Sequence, residues 1–515
     1  MRLVNFDGGL NLRDAPTELG NNETPECMNV TLDERGGAAA RLGIVKLNGS
    51  SLLPQAPSYL YYSTYADQLL AWVKNNGTGN SALYGSSNVG VTWTSLGLFP
   101  DGATGAIIDF AGINGPRVVI VNTLDGVWSY NTSLTVPVHL TGATEKMDEV
   151  RGDAIAVWQN KLWVAGDIRE DTTHSKARVW RCVAGDEQHW TVATDFTDIR
   201  DVDTLPVTAI GAGSGMDVTG KPTLLVYKAG SMYRINDSGS GTYTTLHARG
   251  AGAASNKAVA ATSGRICSIN SEGIWVTDGL AIPLRVSDKL QPLFTADGLN
   301  LADPSVWAAA PYRDRIVFNV TRTGSATNNL MLEYHPEVGW TVSHQLALGP
   351  MAVYSKQTSK LIAGASASGK VFETFKGGLD DGVAIAARYQ TPWFELGRGN
   401  EARLRQLRAF GRGNVMAQLR QDFTTAGENY TLAFATDFGF VWGVGVWGVG
   451  VWGDPATEGA ADTALDQVCT HVSLVFSATS STTSFRPPLL GDGTSIEIGP
   501  WALYEVGLDH IQLGT

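Results

Sequence analysis

At 515 residues the chain is long enough for a large core and for more than one domain. Its 59 glycines, 15 tryptophans and 15 tyrosines, only 17% charged residues and the lack of any long 3.6-residue period exclude a helical bundle and suit many short strands joined by tight turns. A net charge of −12 excludes a broad basic face for gripping nucleic acid, while an acidic wall is suited to a passage that DNA crosses without sticking.

The four cysteines, Cys27, Cys182, Cys267 and Cys469, form no CxxC pair and no metal-ligand spacing, so they read as reduced structural thiols. The opening residues lack the apolar core of a signal peptide, and no run of roughly 20 apolar residues is free of charge and glycine. No transmembrane helix is expected, and assembly in a cytoplasm fits.

Residues 1–50 are expected as an irregular N-terminal arm. Phe6-Asp7-Gly8-Gly9-Leu10-Asn11-Leu12-Arg13-Asp14-Ala15-Pro16 is dense in turn formers, and a second loop-like patch, Asp33–Gly37, precedes Ala38-Ala39-Ala40-Arg41-Leu42-Gly43. This F-x-G-G-L-N-x-R-D-x-P start with a G-G-x-x-x-R-x-G close resembles the N-terminus of a group of tailed-bacteriophage virion proteins, the tail nozzle or hub proteins of short-tailed phages. The match covers about the first 45 residues. It implies a propeller-based subunit of a homo-oligomeric ring, commonly sixfold and so a hexamer, below the head-to-tail adaptor. Such a ring extends the DNA channel, meets tail fibres or tip proteins, holds the genome back until host contact and lets it pass without sequence recognition. The implied location is the virion tail, assembled in the host bacterial cytoplasm. Phe6, Leu10, Leu12, Arg13 and Asp14 are the expected contacts with a neighbouring subunit or the adaptor.

From residue 51 to 389 short strand-turn units recur. Their aromatic residues, Tyr84, Trp128, Trp180, Tyr233, Trp275, Tyr334 and Phe372, lie 38 to 59 residues apart, about the length of one four-stranded propeller blade. The spacing predicts an all-β chain with a β-propeller of about seven blades. Blade one is Pro57–Leu98, blade two Ala106–Leu140, and blade three runs from Ala154 to a fourth strand at His189–Val192. Blades four and five run Val207–His247 and Lys257–Val286, blade six Val306–His344, and blade seven begins at Met351. Either the arm or Val383–Tyr389 supplies the closing strand.

Within blade one, Ser86, Asn88, Gly90, Thr92 and Trp93 match the S-x-D-x-G-x-T-W "Asp-box" turn known from sialidases and other propellers, with asparagine for aspartate. The Asn side chain can close an Asx-type turn, Gly90 can take positive φ and Trp93 can pack beneath the hairpin. In those families the turn is structural and lies away from the active site.

Residues 390–515 break the rhythm and alternate well enough for a β-sandwich. Within it, residues 441–453 form a Trp/Gly-rich insert in which Trp442, Trp447 and Trp452 recur every five residues, placing successive rings on opposite faces of any strand. It reads either as packing material or as a distal gate or tip. Arg398, Arg403, Arg405, Arg408 and Arg412 read as a solvated or ion-paired strand face.

No catalytic residues, metal ligands or cofactors are expected. GxSxG, HExxH, P-loop and Rossmann fingerprints are missing, and the histidines show no metal spacing. Asp109, Asp125, Asp153 and Asp314 sit at strand ends and read as turn formers. A non-enzymatic structural protein is the expected function. The alternative is a receptor-binding, glycan-binding or glycan-cleaving propeller of the phage tail; sialidase-like cleavage needs three arginines on a carboxylate, and this chain has one Asp-box and no arginine motif near its start of the kind those enzymes carry.

Overall fold

The computed structural model describes all residues except 1, 4, 33–35, 132, 134–135, 141–148, 172–173, 192–193, 201–203, 217–221, 238–241, 263, 345, 357–358, 397–400, 413, 434–458, 480–501 and 513–515. The chain is all-β. Among the described residues there is no α-helix, only short 3-10 turns such as Asp288–Leu293 and Pro304–Val306. Two compact units divide the chain, one of residues 46–331 and 345–373, the other of residues 1–45, 332–344 and 374–515.

The first of these is a β-propeller. Its sheets are antiparallel meanders in which each strand pairs with the next in sequence. Five contain four strands, starting from the inner strands Tyr59–Ser63, Gly105–Gly112, Ala154–Trp158, Val207–Met216 and Val259–Thr262. A sixth sheet begins with Leu348–Tyr354 and continues through Lys360–Ala365 and Val371–Thr374.

The blade count is therefore six rather than the expected seven. Of the repeat expected at Val306–His344, this unit keeps the hairpin Ala308–Tyr312/Arg315–Val320, while residues from Leu332 onward belong to the other unit. Sequence spacing detects a repeat of strands, but it does not reveal which compact body each strand joins. The hairpin still holds a place in the ring, since Ala309 N–H donates to Lys257 O at 2.7 Å.

Strand burial on both faces explains why the inner runs read as continuous hydrophobics instead of alternating. In Gly115–Asn122, Val118 and Ile120 pack toward the first sheet with Leu70, Trp72 and Phe99. Their neighbours Val119 and Val121 pack toward the third, with Leu162, Val164 and Trp180. The period of two thus splits one apolar run between two interfaces. Likewise Trp163 and Val179 meet Leu224, Val226 and Tyr233 of the fourth sheet.

The same packing closes the ring, because Leu60, Leu69 and Ala71 of the first sheet share a core with Ala352, Ile362 and Val371 of the last. The segment after residue 46 edges that last sheet. Leu47 N–H donates to Val371 O at 2.9 Å, and Val371 N–H donates to Asn48 Oδ1 at 2.9 Å. Of the two closing strands left open by the sequence, the N-terminal side supplies these contacts.

One strand assignment fails. The fourth strand of the third sheet is Phe196–Asp198, paired with Arg178–Arg181, and His189–Trp190 lies in the preceding loop. There Trp190 is buried with its Nε1–H on Glu187 O, so the aromatic signal marked packing and not pairing.

In the other unit the N-terminal residues are built in rather than forming an irregular arm. Arg2–Leu3 pairs with Val506–Gly507, Val30–Leu32 with Ala38–Ala40, and Ala38–Ala39 with Ala502–Leu503. Glu26–Met28 lies against Arg388–Gln390, which in turn pairs with Val475–Ser477. Apart from the local Val30–Leu32/Ala38–Ala40 pairing, these join residues far apart in the chain, a connection that no local pattern encodes.

Candidate functional site

The inner strands of the propeller enclose an axial cavity of about 530 Å3 at the end where they begin. Ser58, Thr104, Asp153 and Lys257, each just ahead of an inner strand, line it together with Lys74 and Lys176. A second cavity of about 350 Å3 shares Asn256 and Lys257 and is walled by Tyr59–Tyr62, Val259–Ala261, Ala308–Pro311 and Pro350–Val353. The charged mouth thus leads to a neck of mostly alanine and tyrosine.

Asp153 is fixed from several sides. The Thr104 hydroxyl donates to its Oδ2 at 3.1 Å, and the Asn256 amide donates to its backbone carbonyl. Gly166 closes over it at φ +87°, where a Cβ would lie 2.3 Å from Asp153 Oδ1, so no other residue fits. Burial pushes the Asp153 carboxyl up to about 6, with the Thr104 hydroxyl and then Lys257 pulling it back. Burial also lowers Lys257, opposed by the Asp153 charge and reinforced by the Lys74 ammonium. Asp153 therefore departs from the expected turn former: it is a wall of the axial cavity.

Sequence reasoning missed Lys74, Thr104, Lys176 and Lys257. For Thr104 and Lys257 the available signal was position within the repeat, since a residue one or two places before an inner strand lines this cavity, whereas Lys74 and Lys176 flank other strands and carry no such signal.

Of the remaining acids, Asp125 and Asp314 lie in turns as expected, whereas Asp109 lies inside the strand Gly105–Gly112. Asp109 accepts from the Ser63 hydroxyl at 2.5 Å, from Thr64 N–H at 2.7 Å and from the Thr64 hydroxyl at 2.8 Å, tying the neighbouring hairpin turn. Asp125 accepts from the Asn122 amide and from Trp128 Nε1–H. Asp314 sits half exposed beside Arg315.

The turn at residues 86–93 has the geometry its residues specify. Asn88 Oδ1 accepts from the Ser86 hydroxyl and from Thr92 N–H, each at 2.9 Å, and its amide donates to the Thr92 hydroxyl at 2.9 Å. Gly90 takes φ +85° and donates to the Ser86 hydroxyl at 2.8 Å. Trp93 packs on the core between the first and last sheets.

The expected contact residues of the N-terminus are divided. Phe6 is 1% exposed and meets Tyr389 edge-on at 5.4 Å, and Leu10 is 3% exposed. Both are enclosed by their own chain, because a large apolar side chain gains more from a core than from a surface. Of the five, the exposed member is Arg13, ion-paired to half-buried Asp14 at 2.9 Å, with Leu12 half-buried. Asn11, buried between them, accepts from Arg13 N–H and Asp14 N–H and donates to the Asp14 and Glu23 carboxylates.

Trp442, Trp447 and Trp452 lie outside the described residues, as does Arg398. Arg403, Arg405 and Arg408 are exposed while Ala402, Leu404 and Leu407 are buried. Arg403 reaches Asp466 at 2.6 Å. The break in alternation after Leu404 is a register shift between Leu404 and Gln406. All four cysteines are free and buried, and burial raises each thiol, Cys469 to about 11 and Cys182 and Cys267 to about 12.

No family model matches the chain, and no curated protein matches it. Among solved structures, it is similar to BamB from Moraxella catarrhalis at 8% identity, covering 67% of this chain and 93% of that one, with a TM-score of 0.37. The N-terminal part of BBS1 in complex with ARL6 gives 9% identity, 65% and 99% coverage and a TM-score of 0.39. A chain of the Mitotic Checkpoint Complex gives 12%, 71% and 100%, and 0.41. At these scores the likenesses carry no argument about function.

Proposed function

We propose that this chain is a structural component of a bacteriophage tail, a nozzle or hub subunit whose ring sits below the head-to-tail adaptor and forms the DNA ejection channel. The observation that supports it is the fit between the opening motif and the fold. Phe6 and Asn11 of its first half are core residues with named partners. In its second half, Arg41 is 1% exposed, with Nη1 2.8 Å and Nη2 2.5 Å from the carboxylate of Asp380. Residues that hold this unit together are the ones a family signature would retain.

Around this framework the proposed role is mechanical. The net charge of −12 suits a wall that phosphate does not adhere to. Subunits of such a ring, commonly six, meet head to tail and close by rotation. The finer architecture proposed for residues 390–515 is a β-sandwich, supported by the alternating burial along Ala402–Leu407 and Val415–Leu419. The Trp/Gly insert is the proposed distal gate or tip.

A receptor-binding reading has the axial cavity in its favour, because propellers can present ligand pockets at the ring axis. Antibody labelling of purified virions separates the two. Label at the tail stem just below the head supports the nozzle; label on peripheral fibres, or none, overturns it.

A further inference from the structure

The axial cavity carries an unbalanced charge. Its lining includes Lys74, Lys176 and Lys257, and Asp153 and Asp167. Asp167 is already matched by Arg169, whose Nη2 lies 2.7 Å away. Asp153 is left as the cavity's one carboxylate without an arginine, facing Lys257 and Lys74, with Asp303 also acting on Lys257. Among the described residues none of the three ammonium groups has a hydrogen bond or an ion pair, although the protein as a whole is acidic.

Like charges drawn to one concave site repel each other, and a fold tolerates that where something else is gained. Burial works against the charge of half-buried Lys257. Gly166 and Thr104 hold Asp153 in place, so the carboxylate that Lys257 and Lys74 face is fixed by packing. The volume of about 530 Å3 is that of a small-molecule site.

We infer that the axial cavity binds a small oxyanion, the phosphate or carboxylate group of a small molecule, between the ammonium groups of Lys74 and Lys257, with Lys176 also in the lining. The two lysines supply charge-assisted donors, the Thr104 and Ser58 hydroxyls can serve neutral oxygens, and the tyrosine-alanine neck accepts the apolar remainder. This site does not depend on the tail assignment; a ring subunit and a free propeller would carry it alike.

Isothermal titration of the full-length chain at pH 7 tests it, with inorganic phosphate and glucuronate as separate probes against chloride of equal ionic strength. Binding of either probe above the chloride control is expected, and which one binds identifies the source of the oxyanion. Lys74→Gln and Lys257→Gln should each weaken it about tenfold, the effect of removing one charged hydrogen bond. Lys74 is exposed, so its variant keeps the fold and carries the test even if Lys257→Gln does not. No binding above chloride, or a Lys74→Gln affinity within twofold of the parent, overturns the inference.

Discussion

Arg41 and Asp380, 339 residues apart, form a two-pronged ion pair in which the guanidinium is almost fully buried and also donates from Nε to Asn29 Oδ1 at 3.0 Å. Removing one partner leaves the other charge without its match in a dry site, so Asp380→Ala should destabilise the protein by about 3 kcal/mol. Arg41→Lys should recover little, because an ammonium cannot reach both carboxylate oxygens and Asn29 together. Urea unfolding followed by fluorescence measures both variants. A loss below about 1 kcal/mol would place the pair among surface bridges of little weight.

Phe6 gives a second test of how the N-terminus is used. Its ring is enclosed beside Tyr389, and Phe6→Ala should cost about 3–5 kcal/mol of stability. An assembly contact alone would leave the stability of the isolated chain unchanged. Chemical denaturation of the dilute, unassembled protein distinguishes the two outcomes.

The turn at Asn88 and Gly90 should respond to backbone and side-chain changes separately. Asn88→Ala removes bonds to Thr92 and the Ser86 hydroxyl and should cost about 1–2 kcal/mol. Gly90→Ala forces a Cβ into φ +85° and should cost about 1–2 kcal/mol. Asn88→Asp should be nearly neutral, since the accepting oxygen is kept. Thermal melts of the three variants check the order.

Asp153 makes stability depend on pH in a defined direction. Its folded carboxyl is raised from 3.8 to about 6, so between these values the native state holds a proton that the unfolded chain releases. Its contribution is fully present below 3.8 and is lost as pH rises through about 6. Lys257 and Lys74 face the group and limit the effect, while the Thr104 hydroxyl holds it in place. Asp153→Asn should remove this part of the slope, so the variant gains on the parent by up to about 2–3 kcal/mol between pH 4 and pH 7. Urea midpoints at the two pH values measure it, and a constant difference would contradict the assignment.

Much of the propeller was legible because each repeat announces itself locally. The aromatic of Gly126–Tyr130 and the Asn-Gly turn at Asn114-Gly115 mark strands and hairpins that occur where expected. What was hidden is long-range. Nothing near Arg2 signals its partner Gly507, and nothing near Arg41 signals Asp380. Phe6 and Leu10 read as contacts because an apolar residue in a turn-rich segment gives no sign of the core that encloses it. Asp153 was misread for the opposite reason: a carboxylate before a strand is usually a turn former, and only ring closure turns that position toward the axis.

The most direct test of the central claim is cryo-electron microscopy of intact virions carrying this chain. The account predicts several copies in a closed ring around an open axial channel, directly beneath the head-to-tail adaptor, with DNA or its path at the centre. Copies found singly at the ends of peripheral fibres, or a virion without the chain, would contradict it.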